Sequence, residues 1–495
     1  MNSTLRYAAL PLLGASAIAA FAPLGWWPLW PLALALALRL SVELPPLRAA
    51  LAGWLFGLGH FITGLYWTVI STHVYGGAPA WLGVMLCVVL SAFLALYPAL
   101  VFGGLQRLVG LRSHWMLLAL PAAWVFAELV RGWFFSGFPW FSAGYALTDT
   151  ALARLAAVTG VFGLSAALCL WAAILLLLFV RGRPPALPVA LTGLPVLAAL
   201  LPVPSAWTTA VDQPLRAVLV QGSVEQHLKW RPEMRQPTLD RYWQMSEAAL
   251  PADLLVWPEV AITYSYDQVR DSYLRDLDER LKGEGASALV GITVREHGLP
   301  YNSVIAVGAV QGRYDKRHLV PFGEYFPIPD WLRPIMDVLG TPYSDLGFGA
   351  SEQTPIRVQD QRLSISICFE DVFGDEVARD AREASVLVNM TNDAWFADST
   401  APHQHLQIAR MRAIETGRPL LRTANTGISA VISADGEIES RTAQFEPALL
   451  PAVITPRIGQ TPYMRVFNQP LWWACTLILL GLVIRAWRLG ENPDV

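Results

Sequence analysis

Lysine is almost missing from this chain: three, at Lys229, Lys282 and Lys316, stand against 33 arginines in 495 residues. Residues 1 to 205 contain none, and hold only nine arginines and three acids, Glu43, Glu128 and Asp149. So little charge over so long a stretch excludes a soluble surface for that part of the chain. The rest excludes nucleic acid as a partner. Residues 206 to 468 carry 25 basic and 34 acidic side chains, a difference of minus nine, and so offer no basic footprint. Cysteine is equally scarce, at four. Cys87, Cys169 and Cys475 lie in apolar runs, where a thiol behaves as a small hydrophobe. That leaves Cys368 unpaired and rules out a disulfide framework. No GxSxG occurs, which removes the usual serine-hydrolase elbow.

What is present in their place is hydrophobicity, at 54% of residues. Apolar runs long enough, or nearly long enough, to span a bilayer occur at 7–23, 27–42, 50–72, 80–105, 114–130, 160–180 and 185–203, with one more at 470–487. The expected organisation is a seven-span transmembrane domain over 1–205, a soluble domain over 206–468, and a final span with a short tail over 469–495. Arg6 followed by an apolar run has the look of a signal peptide, but a further apolar segment follows within a few residues, so an uncleaved anchor is expected. Alternate loops gather the arginines. Arg6, Arg39, Arg48, Arg107, Arg112, Arg181, Arg183, Arg485 and Arg488 fall on one side, and only Arg131 and Arg154 on the other. The positive-inside rule then puts both termini in the cytoplasm and the soluble domain outside it. Trp26, Trp27, Trp30, Trp472 and Trp473 sit near predicted span ends, as an interfacial belt would. GWLFG at 53–57 is a small-xxx-small pattern, explained by close helix packing.

The soluble region alternates short apolar strands with helical patterns: AVLVQ at 217–221, LLVW at 254–257, ALVGIT at 288–293, SVIAVGA at 303–309, LSISIC at 363–368 and SVLVNM at 385–390. Several are too apolar for a one-sided sheet, which predicts an α/β domain with helices covering the strands. Segments 420–425 and 428–433, followed by a turn at Asp435 and Gly436, predict a further strand pair. Chemistry on such domains sits where strands end. LLVW runs into Pro258, which stops the strand, and Glu259; LSISIC ends on Cys368 beside Glu370. A nucleophilic thiol needs a base and a donor for the oxyanion it creates, and Glu259 and Lys316 are candidates for those roles. The alternatives are a core cysteine, a solvated turn glutamate and a surface salt bridge, and the residues alone leave them open. Lys282, before Gly283, reads as an ordinary helix C-terminus. His403 and His405 with Asp393 suggest a metal site only weakly, since side chains at i and i+2 diverge on a helix.

WPE at 257–259, YDKRHLVPFGE at 314–324 and ICFE at 367–370 resemble the Glu, Lys and Cys motifs of the nitrilase superfamily. With RGWFFSGFPW at 131–140, VQGSVEQHLKW at 220–230, TNDAWF at 391–396 and HLQIARMRAIETGRP at 405–419, the chain is most similar to its membrane-bound branch, the apolipoprotein N-acyltransferases. The resemblance covers most of the chain, including the order of spans, domain and final span. It implies a nitrilase-like αββα sandwich outside the cytoplasm, in the periplasm, carried by a multi-pass protein of the bacterial inner membrane. It implies Cys368 as nucleophile, Glu259 as general base and Lys316 as oxyanion-stabilising cation, with Glu324, Glu370 and Phe369 as supporting residues. The implied reaction moves an acyl chain from a membrane phospholipid, through a cysteine thioester, to the α-amino group of a diacylglyceryl-cysteine on an apolipoprotein. No metal or organic cofactor is implied. Trp230, Trp395 and Tyr343 are candidates for an acyl-chain gate, and Arg131 for a lipid-phosphate contact or an interfacial position beside Glu128. Two departures concern substrate detail: Phe369 where the family often has tyrosine, and Ala397 where glycine is usual. Rival expectations are a membrane-tethered amidase, for which one anchor would suffice, and a non-catalytic lipoprotein-binding scaffold, which would not need all three of Glu259, Lys316 and Cys368.

Overall fold

Side chains that water rejects leave the backbone little choice in the first 182 residues, since a helix is the local structure that satisfies every peptide group within one segment. The computed structural model describes residues 3–182, 193, 207–327, 331 and 345–491. Helices run over Ser3–Ala17, Leu29–Ser41, Pro46–Leu65, Ala80–Leu94, Leu96–Leu108, Met116–Arg131, Ala156–Arg181 and Gln469–Glu491. They fall on six of the seven N-terminal apolar segments and on the C-terminal one; the segment 185–203 and Arg183 lie outside the described residues. Among the described residues three stretches, Ala80–Leu108, Ala151–Arg181 and Gln469–Leu489, are long and apolar enough to cross a membrane, and Thr4–Ala20 and Leu29–Ser41 are shorter apolar helices.

The run 50–72 is not one straight helix. Pro46–Leu65 and Trp67–Tyr75 together pass the same test of length and composition, but a 50° bend separates them. Ile70–Tyr75 is a π-helix, a geometry that apolar composition does not encode. Close packing does explain GWLFG. A Cβ on Gly53 would lie 2.4 Å from the Pro98 carbonyl oxygen, and one on Gly57 2.9 Å from the Ala95 Cα, so only glycine lets these backbones approach.

The described chain separates into two compact units. The helical one ends its first stretch at Val69, resumes at Pro79, and takes up the chain again from Arg465. Ile70–Ala78 group with the second unit, which ends at Met464, so a piece of the expected third span belongs by its contacts to the soluble fold. There the Ser71 hydroxyl donates to the Trp395 carbonyl at 2.8 Å and the Tyr75 ring meets the Trp395 ring edge-on.

Strands of the second unit are β1 (Thr208–Ala210), β2 (Leu215–Gln221), β3 (Leu254–Val256), β4 (Ile262–Ser265), β5 (Ser287–Glu296), β6 (Leu299–Gly308) and β7 (Gly312–Asp315). After them come β8 (Ile356–Val358), β9 (Gln361–Ile367), β10 (Val386–Thr391), β11 (Leu420–Ala424), β12 (Ala430–Ile432), β13 (Ile438–Arg441), β14 (Ala448–Ile454) and β15 (Arg457–Gly459). Every strand read from the sequence is among them, and β11 and β12 form the expected antiparallel pair. β1 and β15 form a small antiparallel pair; of the two large sheets, one has the order β14-β2-β3-β5-β6-β7 with β4 joined to β5, and the other the order β13-β12-β11-β10-β9-β8. Apolar side chains from both, among them Leu219, Val256, Leu289, Ile365, Val388 and Leu421, form one continuous core between the sheets. The outer face of the first sheet is covered by the helices Pro232–Ala248 and Arg275–Gly283, whose Leu239, Tyr242, Leu277 and Leu281 pack on Val218, Leu255 and Val290. Helices Gly374–Asp380 and Ala401–Thr416 pack on the second. Helix, sheet, sheet, helix is the αββα sandwich that the strand pattern and the resemblance together predicted.

Candidate active site

Parallel pairing aims the ends of β3 and β9 at the places where chemistry was expected. β3 pairs in parallel with β2 and β5, and β9 with β10. Beyond β3 the chain turns through Pro258 to Glu259, and Val260 follows at φ 45°. This turn presses on β5. A Cβ on Gly291 would lie 2.3 Å from the Pro258 oxygen and 2.9 Å from the Glu259 Cα, so the general-base candidate sits where it does because β5 has no side chain there. Beyond β9 comes Cys368 at φ 51°, a left-handed elbow for a residue that ordinarily avoids it, followed by the short turn Cys368–Val372. Lys316 follows β7 directly, its N–H donating to the Asn302 carbonyl at 2.8 Å.

The charges converge. Lys316, 1% exposed, donates from Nζ to Glu324 Oε1 at 2.8 Å and to Glu259 Oε1 at 3.4 Å. Asn302 Nδ2 donates to the same two carboxylates, to Glu259 Oε1 at 2.7 Å and to Glu324 Oε1 at 3.1 Å, and the Asn392 N–H reaches Glu259 Oε2 at 2.8 Å. Glu324 Oε2 accepts from the Val320 N–H at 2.8 Å, closing the Lys316 loop on itself. Burial works to lower the Lys316 ammonium, but Glu324, Glu259 and Cys368 together outweigh it and hold it above the ordinary lysine range. Burial, then the Glu259 charge, pushes the Cys368 thiol well above its usual value, while Lys316 pulls it down. A thiol so tuned rests protonated beside a carboxylate, the state from which a base-assisted attack starts.

The other expected residues fall as follows. Glu370 braces the elbow: Oε2 accepts from the Ile367 N–H at 2.7 Å and the Tyr314 hydroxyl at 2.9 Å, and Oε1 from the Arg317 and His318 N–H groups at 2.8 and 3.1 Å. It thereby ties the chain beside Cys368 to the chain beside Lys316. Phe369 is buried against Phe373 and His318. Trp230 and Trp395 are 50% and 39% exposed. Tyr343 lies outside the described residues. Arg131 is buried in the helical unit and donates to the Phe138 carbonyl at 2.8 Å and to the Trp140 carbonyl, so its guanidinium turns inward to brace the 138–142 turn. His405 meets Asp393 at 2.9 Å, whereas His403 faces Gln444.

Asn302, Asn392 and Lys229 were missed by the sequence reading as site residues. Lys229 is buried, its Nζ donating to the Glu259 carbonyl at 3.4 Å, and burial lowers it to about 8 against the pull of Glu259. The scarcity of lysine was the available signal; Asn302, inside β6, gave none, and Asn392 had only its place in TNDAWF.

A family model for the apolipoprotein N-acyltransferase N-terminal domain matches residues 13–174, and one for carbon-nitrogen hydrolases matches residues 216–463. A protein named apolipoprotein N-acyltransferase from Methylococcus capsulatus is 42% identical over 475 residues, covering 94% of this chain and 92% of its own length. The chain belongs to the apolipoprotein N-acyltransferase family. A member from Ralstonia nicotianae is 39% identical over 502 residues, with 98% of this chain and 95% of that protein covered. Among solved structures, a CN-hydrolase superfamily protein from Xanthomonas campestris is 19% identical with a TM-score of 0.38, covering 49% of this chain and 91% of that one. Within the family's two-part organisation, the first model falls on the helical unit and the second on the sandwich that carries Glu259, Lys316 and Cys368.

Proposed function

We propose that this apolipoprotein N-acyltransferase family member moves an acyl chain from a membrane phospholipid to Cys368 and then to the α-amino group of a lipoprotein's diacylglyceryl-cysteine. The observation that carries the reading is the convergence of a buried lysine and two carboxylates on a cysteine elbow, in a chain most of whose length matches the family.

In the first half-reaction the Cys368 sulfur attacks the ester carbonyl while Glu259 takes the thiol proton. The oxyanion faces the Lys316 ammonium and the Phe369 N–H. Collapse forms the thioester, and the departing glycerol oxygen leaves as lysophospholipid with the proton from Glu259. In the second, the neutral α-amine attacks the thioester, Glu259 accepts a proton from it, and the thiol leaves protonated as the amide forms. Asn302 and the Asn392 N–H restrict Glu259 to one orientation for both transfers. Glu324 keeps Lys316 charged, and Trp230, Trp395 and Tyr343 gate the acyl chain. The distribution of arginines supports seven N-terminal spans and one C-terminal span, both termini in the cytoplasm and the sandwich in the periplasm. Both substrates are held in lipid, which is why so apolar a scaffold accompanies a hydrolase-like domain.

Intact mass spectrometry after incubation with phospholipid tests the reading. Wild type gains the mass of one acyl chain, removable by hydroxylamine, and Cys368→Ala gains nothing. Folded wild type that stays unmodified beside intact phospholipid sinks the proposal.

A further inference from the structure

Behind Cys368 lies a charged cluster that the acyl-transfer steps above do not use. Asp371, Asp393, His405 and Arg422 are each at most 1% exposed and come from four places: the turn after β9, the turn after β10, the helix Ala401–Thr416, and β11. His405 directs Nδ1 at Asp393 Oδ1 and Nε2 at Asp371 Oδ1, both at 2.9 Å. Each ring nitrogen faces a carboxylate oxygen, so each carries a proton and the ring is an imidazolium. Arg422 closes the cluster, donating to Asp393 Oδ2 at 2.9 Å and to Asp371 Oδ2 at 3.4 Å. Two cations against two anions leave no net charge to be desolvated alone.

One hydrogen bond and one neighbouring hydroxyl join the cluster to the nucleophile. His405 Nε2 also faces the Cys368 carbonyl at 3.2 Å. The Thr391 hydroxyl donates to Asp393 Oδ1 at 3.0 Å, and Thr391 is near enough to the Cys368 side chain to pull its thiol down against burial. Cys368 meanwhile holds the left-handed conformation, which persists in a non-glycine residue only where its surroundings enforce it.

We propose that His405 is a positioning residue for the nucleophile, clamped between Asp371 and Asp393 so that it holds the Cys368 carbonyl in the elbow while the Asp393–Thr391 link orients the thiol. At rest the S–H donates to Thr391 Oγ1, whose own proton goes to Asp393. When Glu259 removes the thiol proton, the hydroxyl turns its proton to the sulfur, and Asp393 keeps its bonds from His405 and Arg422. The charged groups facing His405 are Asp371, Asp393 and Arg422, so its charge answers to this cluster. The consequence for acyl transfer rests on the thioester reading; the presentation of the thiol does not.

The test therefore has two arms on the detergent-solubilised full chain. Iodoacetamide alkylation across pH reads the thiol directly, with Cys368→Ala supplying the background of the other cysteines. Acyl-adduct formation from mixed micelles of phosphatidylethanolamine and phosphatidylglycerol reads transfer. His405→Gln and Thr391→Val are both expected to slow alkylation near neutral pH about tenfold and to displace its profile about one pH unit to the alkaline side. Acylation slows with them while KM for phospholipid holds. Thr391→Val is isosteric and leaves all four ion contacts in place, so it decides the matter if His405→Gln does not fold. An unshifted alkylation profile in folded Thr391→Val overturns the inference, as does slowed acylation with unchanged alkylation. Should wild type take up no acyl group while the variants shift alkylation, the thioester reading falls and the positioning role stands.

Discussion

Lys316 concentrates the argument at the scale of single residues. Its ammonium is shared by Glu324 and Glu259 and, in the proposed mechanism, by the oxyanion. Lys316→Met removes all three relations, so acyl-adduct formation should fall by about 10²- to 10³-fold. Buried Glu259 and partly buried Glu324, left without their cation, should lower stability by about 3 kcal/mol. Adding Glu324→Gln to Lys316→Met should recover part of the lost thermal stability and none of the lost rate, because it removes repulsion without restoring a donor. Adduct kinetics by mass spectrometry and thermal unfolding of both variants check this; a double variant that regains the rate would show Lys316 to be a counter-ion only. Three of the residues in this site were legible because each breaks a local habit: a lysine in a chain that uses arginine, a glutamate after a strand-stopping proline, a cysteine with no partner. His405 was not. The sequence paired it with Asp393 only as a weak metal site, and only the fold adds Asp371 from a separate turn, so that each ring nitrogen meets a carboxylate.

At the scale of elements, the strand ends do the positioning, and β5 is the one whose contribution can be isolated. Gly291 lies at the centre of that strand, opposite Val304 on β6, with the Pro258–Val260 turn pressed against its Cα. Gly291→Ala should move that turn, since a Cβ cannot share 2.3 Å with the Pro258 oxygen. Overpacking of this kind costs about 1–3 kcal/mol, whereas a displacement of about 1 Å in Glu259 can cost about 10²-fold in rate. The expected signature is thus a small drop in unfolding temperature with a large drop in acylation; a folded variant with wild-type rate would mean that the turn relaxes without moving Glu259. Strands were readable as apolar runs bounded by turn residues. The break after Leu65 was not, because Tyr66 to Tyr75 continue the apolar and aromatic composition of the helix before them while the hydrogen bonding changes to the π pattern. Hydropathy reports which solvent a segment tolerates and is silent on whether its helix is straight.

For the whole molecule, the segregation of charge decides which part responds to pH. Residues 1 to 205 contain three acids in all, so most carboxylate titration belongs to the sandwich, where much of the charge is on the surface. The buried cluster behind Cys368 is different. Burial and Arg422 work to lower the His405 imidazolium, but Asp371 and Asp393 outweigh them and hold it at about 9, above its ordinary 6.5. Burial raises the Asp393 carboxyl while Arg422 and His405 more than reverse it, to about 2 from 3.8. A cation whose value is raised by folding stabilises fully below its unfolded value and ceases to do so as pH climbs through the folded one, so the His405 contribution disappears between about pH 6.5 and 9. Asp393 works in the opposite sense, contributing above its unfolded 3.8 and losing that contribution as pH falls through about 2, outside this window. The unfolding temperature of the detergent-solubilised chain should therefore decline by roughly 5 °C across the His405 window. His405→Gln should start lower and lack that slope, while the groups common to both proteins cancel in the comparison. Parallel curves for the two proteins in scanning fluorimetry from pH 5.5 to 9.5 would mean that His405 enters the folded state uncharged. The clamp between Asp371 and Asp393 would then be a pair of single-proton contacts too weak to hold the elbow.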